Sequence, residues 1–369
     1  MREYWIALNG ISGLGPVRIR RLLEVFGTPQ AVLEAPLRLL AEKKLIPASS
    51  AAEFSRRGEL LDDARKHLES CESGGISVLI LPDDDYPLYL KEIFAPPPVL
   101  YVKGDLSVLG RHALAVVGTR SPTTYGLQCT RGLVAGLCGR AVIVSGLARG
   151  IDTAAHARCL EMGGKTVAVM GCGIDRVYPS ENKELAERIC ENGAIVSEFP
   201  PGVIPEAYNF PRRNRVISGV SCGVLVVEAG EKSGALITAD YALQQNRVVF
   251  AVPGPINSPV SAGTFRLIKD GAVPVRSPED IFEHISAATF APLLAAPPQK
   301  IRSEQEPSPT LAVGDELAVW DALSDEPQRV DAIAEASGIE IPLLLGTLLN
   351  LELKGFITQT GGQQFKRIL

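Results

Sequence analysis

The sequence predicts an α/β fold in which helices cover both faces of a mostly parallel, doubly wound sheet. Three observations lead there. Short apolar runs recur at Ile76–Leu81, Leu114–Val117, Ala141–Ser145, Thr166–Met170, Ala194–Ser197, Val224–Glu228 and Arg247–Val252. Amphipathic patterns of helical length fall between most of them, at Tyr125–Cys138, Thr153–Met162, Asn182–Glu191 and Ala235–Gln245. Gly-rich turns stop two of the strands, at Ser145-Gly146 and at Gly171-Cys172-Gly173. Runs that are apolar on both faces and alternate with helices form βαβ units.

Each segment has its own justification. Residues 1–71 hold no strand pattern and form a small all-α domain. Gly13-Leu14-Gly15 precedes Pro16 and a helix that carries Arg18, Arg20 and Arg21. Proline suits the first helical position, and the pattern is similar to a SAM or helix-hairpin-helix element. Residues 72–286 form the sheet core, closed by a helix that starts at the capping-box sequence Ser277-Pro278-Glu279-Asp280. Residues 287–313 lose periodicity, contain five prolines and read as a linker. Residues 314–369 predict a winged-helix domain. Val330–Ala336 and Ile341–Leu353 form the helix-turn-helix, and Phe356–Thr358 and Gln364–Ile368 flank Gly361-Gly362 as a wing. The second helix of that turn has one basic residue, Lys354, and the segment from 311 on has 4 basic and 9 acidic residues. Reading duplex DNA needs donors and cations on that helix, so a protein-contact or dimer-support role is expected for the tail.

Composition removes several classes. No apolar run reaches the ~18–20 residues of a membrane span, and the opening MREYWIALNG lacks a cleavable apolar region. A cytoplasmic location is expected. The seven cysteines are scattered and never spaced CxxC, and the four histidines lie far apart. Neither a disulfide framework nor a metal site is expected. With a net charge of −5, any polyanion site must be a local cluster.

Ligands of open parallel sheets bind outside the carboxyl ends of the strands, and backbone amides at Gly-rich turns suit phosphate. Three basic features are placed at that edge. Arg120 follows the run Leu114–Val117, Lys165 precedes Thr166–Met170, and Arg212, Arg213 and Arg215 crowd into Phe210–Arg215, before a strand. Ser233 and Gly234 open another helix there. Tyr178 and Phe210 are the nearest aromatics for base stacking, with Phe210 read as core. Neither GxxxxGK[ST] nor GxGxxG is present, so no nucleotide cofactor is expected. Asp152 and Glu228 are the nearest acid/base groups, but no nucleophile–base pair accompanies them.

The motifs VGTR (117–120), SGLARGIDTAAH (145–156), GKTVAVMGCGID (164–175), FPRRNRVISG (210–219), VVEAGEKSGALITA (226–239) and GTFRLIKDGA (263–272), in that order, resemble the DNA-processing protein DprA (Smf) family. The resemblance implies a Rossmann-like core that binds single-stranded DNA without catalysis and forms a homodimer. It also implies delivery of RecA recombinase to single strands during natural transformation. It places Arg120 and Lys165 in a DNA pocket, with Arg212, Arg213, Asn214 and Arg215 in the FPRRNR motif. Ser145, Gly146 and Arg149 would form the pocket rim, and Gly118 and Gly164 would allow close backbone approach. A more distant similarity to lysine-decarboxylase-like phosphoribohydrolases gives the alternative, a nucleotide-processing enzyme. Their PGGxGT signature is replaced here by Ala229–Ala235.

Overall fold

The computed structural model describes residues 1–285, 315–324, 327–353, 357–360 and 364–367. The expected linker 287–313 and the positions Lys354, Phe356, Gly361, Gly362 and Ile368 lie outside the described residues. One compact unit holds the described residues up to Ile285, and a second holds those from Asp315 on.

The first unit opens with helices α1 (Arg2–Gly10), α2 (Pro16–Phe26), α3 (Pro29–Glu34), α4 (Leu37–Glu42), α5 (Ala51–Ser55) and α6 (Arg57–Ser73). Ile19, Leu22 and Leu23 of α2 follow helical spacing and turn inward. Thr28 caps α3 by accepting a hydrogen bond from the Ala31 amide at 3.1 Å. These helices share a continuous apolar cluster with the sheet: Trp5, Leu8 and Leu22 belong with Tyr101, Met170 and Ile195. The front segment is therefore packed on the core, and the expected boundary at residue 71 falls inside α6.

The sheet has nine strands: β1 (Ser77–Ile80), β2 (Val99–Gly104), β3 (Ala113–Val117), β4 (Val142–Ser145), β5 (Thr166–Met170), β6 (Gly193–Ser197), β7 (Gly223–Val226), β8 (Val248–Ala251) and β9 (Val273–Pro274). Their order is β1-β2-β6-β5-β4-β3-β7-β8-β9. The pairs β1–β2 and β2–β6 are antiparallel, and all pairs from β6 to β9 are parallel. Every residue of β3, β4, β5, β6 and β7 is buried, because helices cover both faces. The covering helices are α7 (Leu88–Lys91), α8 (Thr124–Leu137), α9 (Ile151–Glu161), α10 (Lys183–Asn192), α11 (Asn209–Gly219), α12 (Gly234–Gln244), α13 (Ala262–Lys269) and α14 (Pro278–His284). At α14 the Asp280 carboxylate accepts from the Ser277 amide at 3.2 Å, as the capping-box sequence predicts.

The chain winds from β3 outward to β6, returns beside β3 as β7, and continues outward to β9. The fold is thus doubly wound and Rossmann-like, with its switch point between β3 and β7.

The second unit has α15 (Asp315–Ala322), β10 (Gln328–Arg329), α16 (Val330–Ser337), α17 (Ile341–Leu353), β11 (Ile357–Thr360) and β12 (Gln364–Arg367). Its three antiparallel strands run β10-β12-β11, giving the expected winged helix around Val319, Ile333, Leu344, Leu348 and Phe365. Gly338, in the left-handed conformation, ends α16. Ile341, Leu345 and Leu349 remain exposed on α17. Among the described residues, no single helix is long and apolar enough to cross a membrane.

Candidate functional site

A cleft of about 830 Å³ opens at the switch point of the sheet. Its walls come mainly from four chain segments, with Tyr178, Ala207 and Val260 adding to the lining. Gly118, Thr119 and Arg120 follow β3; Ala148 and Asp152 follow β4; Phe210, Arg213 and Asn214 belong to α11; and Lys232, Ser233 and Gly234 lead into α12. A side pocket continues the cleft toward Gly146, Arg149 and Tyr178.

The floor is a buried polar network. Arg213 donates to the carbonyls of Gly146, at 2.6 Å, and Val169, so it ties the ends of β4 and β5 together. Its Nε donates to Asn214 Oδ1 at 3.2 Å, and Asn214 Nδ2 donates to the Gly234 carbonyl at 3.2 Å. The Asp152 carboxylate accepts from the amides of Gly146 at 3.0 Å and Ala148 at 3.4 Å. Burial holds the Arg213 guanidinium down at about 10, against the pull of Asp152. Burial likewise raises the Asp152 carboxyl, with Arg213 opposing. Residue 146 must be glycine here, because a Cβ would lie 2.6 Å from the Arg213 guanidinium.

The walls carry groups without such engagements. The Arg120 guanidinium is exposed and stands 5.9 Å from the Phe210 ring centroid. Phe210 in turn packs against Tyr178, with centroids 5.4 Å apart and planes tilted by 41°. Tyr178 is 44% exposed. Across the cleft, Lys232 is exposed beside the first turn of α12, where Ser233 Oγ accepts from the Ala235 amide at 3.3 Å. Among the described residues neither Arg120 nor Lys232 has an ion-pair partner. Lys232 is absent from the residues expected from sequence. Its signal was its position directly before Ser233-Gly234, at a strand-to-helix turn; the adjacent Glu231 masked it in any charge count.

Arg120, Gly118, Arg213 and Asn214 come together as expected, and Gly146 and Arg149 reach the side pocket. Other expected placements are corrected. Lys165 precedes β5 and so sits at the amino end of the sheet, 3.6 Å from Asp105, with Gly164 beside it. Gly164 there packs against the sulfurs of Cys138 and Cys159. Residues 210–215 are helical, so the three arginines diverge around α11 rather than cluster before a strand. Arg215 is largely shielded from solvent and is held by Glu198 and the Ala95 carbonyl. Arg212 points out over Phe199, at 5.3 Å. Ser145 is buried and donates to the Val116 carbonyl at 2.6 Å, so it forms no rim. Arg149 is held by Glu181 in two bonds of 2.6 and 2.7 Å. Phe210 is half-buried in the cleft wall rather than core. The turn Gly171-Cys172-Gly173 is filled by the Phe210 ring and by residues 200–203, and it offers no open amides to the cleft. In the front segment, Glu53 accepts from the Ser12 amide at 2.9 Å, so a carboxylate sits directly before the Gly13-Leu14-Gly15 turn.

Residues 77–286 match the sequence profile described as DNA recombination-mediator protein A, and residues 303–363 match that of the DprA winged helix domain. Protein Smf of Escherichia coli is 44% identical over 287 residues, covering 77% of this chain and 76% of that protein. Protein Smf of Synechocystis is 35% identical over 396 residues, covering 99% and 98%. The crystal structure of DNA processing protein A from Streptococcus pneumoniae superposes with a TM-score of 0.69 at 38% identity, covering 78% of this chain and 99% of that one. A structure of the Helicobacter pylori protein, described by its single-stranded DNA binding mode, gives 0.51 at 31% identity, covering 56% and 93%.

Proposed function

This chain belongs to the DNA-processing protein DprA (Smf) family, and from that premise we propose that it binds single-stranded DNA in the cleft at the switch point. The observation that carries the proposal is the pairing, in one cleft, of two cations free of carboxylates with a packed aromatic pair. Arg120 and Lys232 take phosphates, and Tyr178 and Phe210 offer ring faces to bases. Stacking on aromatics is tolerant of sequence, because every base has a π-face, and is worth ~1–3 kcal/mol per base.

The cleft works as a binding site rather than a catalytic one. Its buried carboxylate, Asp152, is engaged by two amides and faces Arg213. The hydroxyl beside it, that of Ser145, is buried and donates to the Val116 carbonyl, so it is not presented to a ligand. Arg213 and Asn214 act as the frame that fixes the strand ends. The finer steps belong to the same proposal and rest on the family resemblance and the recombination-mediator profile. They are delivery of RecA recombinase to the bound strand, association of two copies through the sheet core, and a place in natural transformation in the cytoplasm.

The test is fluorescence anisotropy of the full chain with labelled single-stranded and duplex DNA, with mononucleotides as competitors. A single-strand preference that weakens with salt is expected. Absence of DNA binding, with consumption of the mononucleotide, would replace this reading with the phosphoribohydrolase one.

A further inference from the structure

Helix α11 has a second face that the cleft does not use. Phe210, Arg213 and Asn214 turn toward the cleft. Tyr208, at the N-cap, and Arg212, one turn on, lie on a common side by the i, i+4 rule. Tyr208 is 63% exposed. Its neighbour Ala207 lines the cleft and is exposed, so the ring stands at the cleft's edge, where a longer ligand can continue. Glu206 lies beside the Tyr208 hydroxyl and raises its pKa. Arg212 lies close enough for its charge to act on that hydroxyl. Among the described residues Arg212 has no ion-pair partner, and its guanidinium stands over the Phe199 ring at 5.3 Å. An exposed ring with an unneutralised guanidinium beside it, continuous with a cleft, is the local chemistry of a single-strand path.

We infer that single-stranded DNA leaving the cleft runs across this face of α11, with a base stacked on Tyr208 and a backbone phosphate on Arg212. The inference rests on the cleft being a single-strand site, and it adds a second contact zone outside that cleft. The volume of the cleft serves the first nucleotides alone. The Tyr208–Arg212 zone serves those that follow, so its contribution depends on strand length.

The experiment compares two oligothymidylates, of about 4 and about 16 nucleotides, the range of common single-strand site sizes. Each is titrated into the full chain and into its Tyr208→Ala, Tyr208→Phe, Arg212→Ala and Arg120→Ala variants. Tyr208→Ala should weaken the long strand by roughly 5- to 100-fold, the cost of one lost stack, and leave the short one unchanged. Tyr208→Phe should bind both as the parent does, since it keeps the ring face. Arg212→Ala should lower the salt slope of the long strand by about 0.7, one phosphate contact. Arg120→Ala should weaken both strands. Loss of affinity in Arg120→Ala with Tyr208→Ala and Arg212→Ala at parent affinity for the long strand would overturn the exit path while leaving the cleft. An equal loss for both lengths in Tyr208→Ala would assign the ring to the cleft itself and overturn the path. Failure of the parent chain to bind either strand would overturn both readings.

Discussion

Arg213 donates to the Gly146 and Val169 carbonyls while facing Asp152, and this makes it a structural residue that happens to line a binding site. Arg213→Ala leaves the Asp152 carboxyl buried with no cation, which should destabilise the fold by ~3–5 kcal/mol. Arg120, exposed and unpaired, should be replaceable by alanine with stability unchanged to within about 0.5 kcal/mol. Urea unfolding of the two variants separates the roles. The sequence shows both as arginines near predicted strand ends, and nothing in residue type distinguishes them. The distinction lies in burial, which depends on partners more than forty residues away. His156 gives a second test. It is buried on α9, its Nδ1 meets Thr166 Oγ1 at 2.7 Å, and its Nε2 has no hydrogen-bond partner. Burial, with Arg213 nearby, pushes its ring down to about 3 from an ordinary 6.5. Between those values the unfolded chain binds the proton and the folded chain does not. Stability contributed by the neutral ring is therefore intact above about 6.5 and is lost as pH falls toward 3. At pH 5 the loss amounts to ~2 kcal/mol. Unfolding of His156→Gln should lack that part of the acid sensitivity; an identical pH profile in parent and variant would refute the assignment.

The elements show why some of the site was legible and some was not. The interior strands β3 to β8 were readable because each is a short apolar run flanked by a helix or a turn. Strand β2 follows Pro96-Pro97-Pro98, which reads as loop, and β9 is two residues long; both strands exist through tertiary pairing. Helix α11 matters more. Its Pro211 and three arginines hide an amphipathic pattern, so FPRRNR reads as a charged approach to a strand, and the divergence of its side chains is lost. Lys165 fails for a related reason: it adjoins a strand at the amino end, and sequence proximity to a strand does not say which end. One glycine links elements to function. Gly150, at the N-cap of α9, has φ +79, where a side chain is strained. A Cβ there would also run into the Thr119 carbonyl and lie 2.8 Å from the Arg120 backbone. Gly150→Ala should shift the loop that presents Arg120. It should lower the thermal midpoint by several degrees, for ~1–3 kcal/mol of strain, and weaken single-strand binding beyond what stability explains. Parent affinity in a destabilised Gly150→Ala would show that the loop tolerates the shift.

At the scale of the whole molecule, attraction to nucleic acid is local. The chain carries a net charge of −5, so no long-range field gathers a polyanion, and the described face of α17 presents Ile341, Leu345 and Leu349 rather than cations. In the reading proposed above, binding comes from Arg120, Lys232 and the aromatics of the cleft, extended by Tyr208 and Arg212 for a longer strand. A doubly wound sheet provides such a cleft because strands are added in opposite directions on the two sides of the β3–β7 pair, and the connections leave the two strand ends on opposite faces, opening a crevice between them. The fold class, the winged tail and the family were all legible, since they depend on periodicity and ordered motifs. The membership of the cleft was legible only in part, since it depends on which way each side chain turns. The measurement that decides most directly is the dependence of single-strand affinity on salt for the parent chain and for the double variant Arg120→Ala/Lys232→Ala. If both cations hold phosphates, the variant binds more weakly and its log–log slope is shallower by about 1.4, two contacts at about 0.7 each. A variant with the parent's affinity and the parent's slope would place the DNA elsewhere on the molecule.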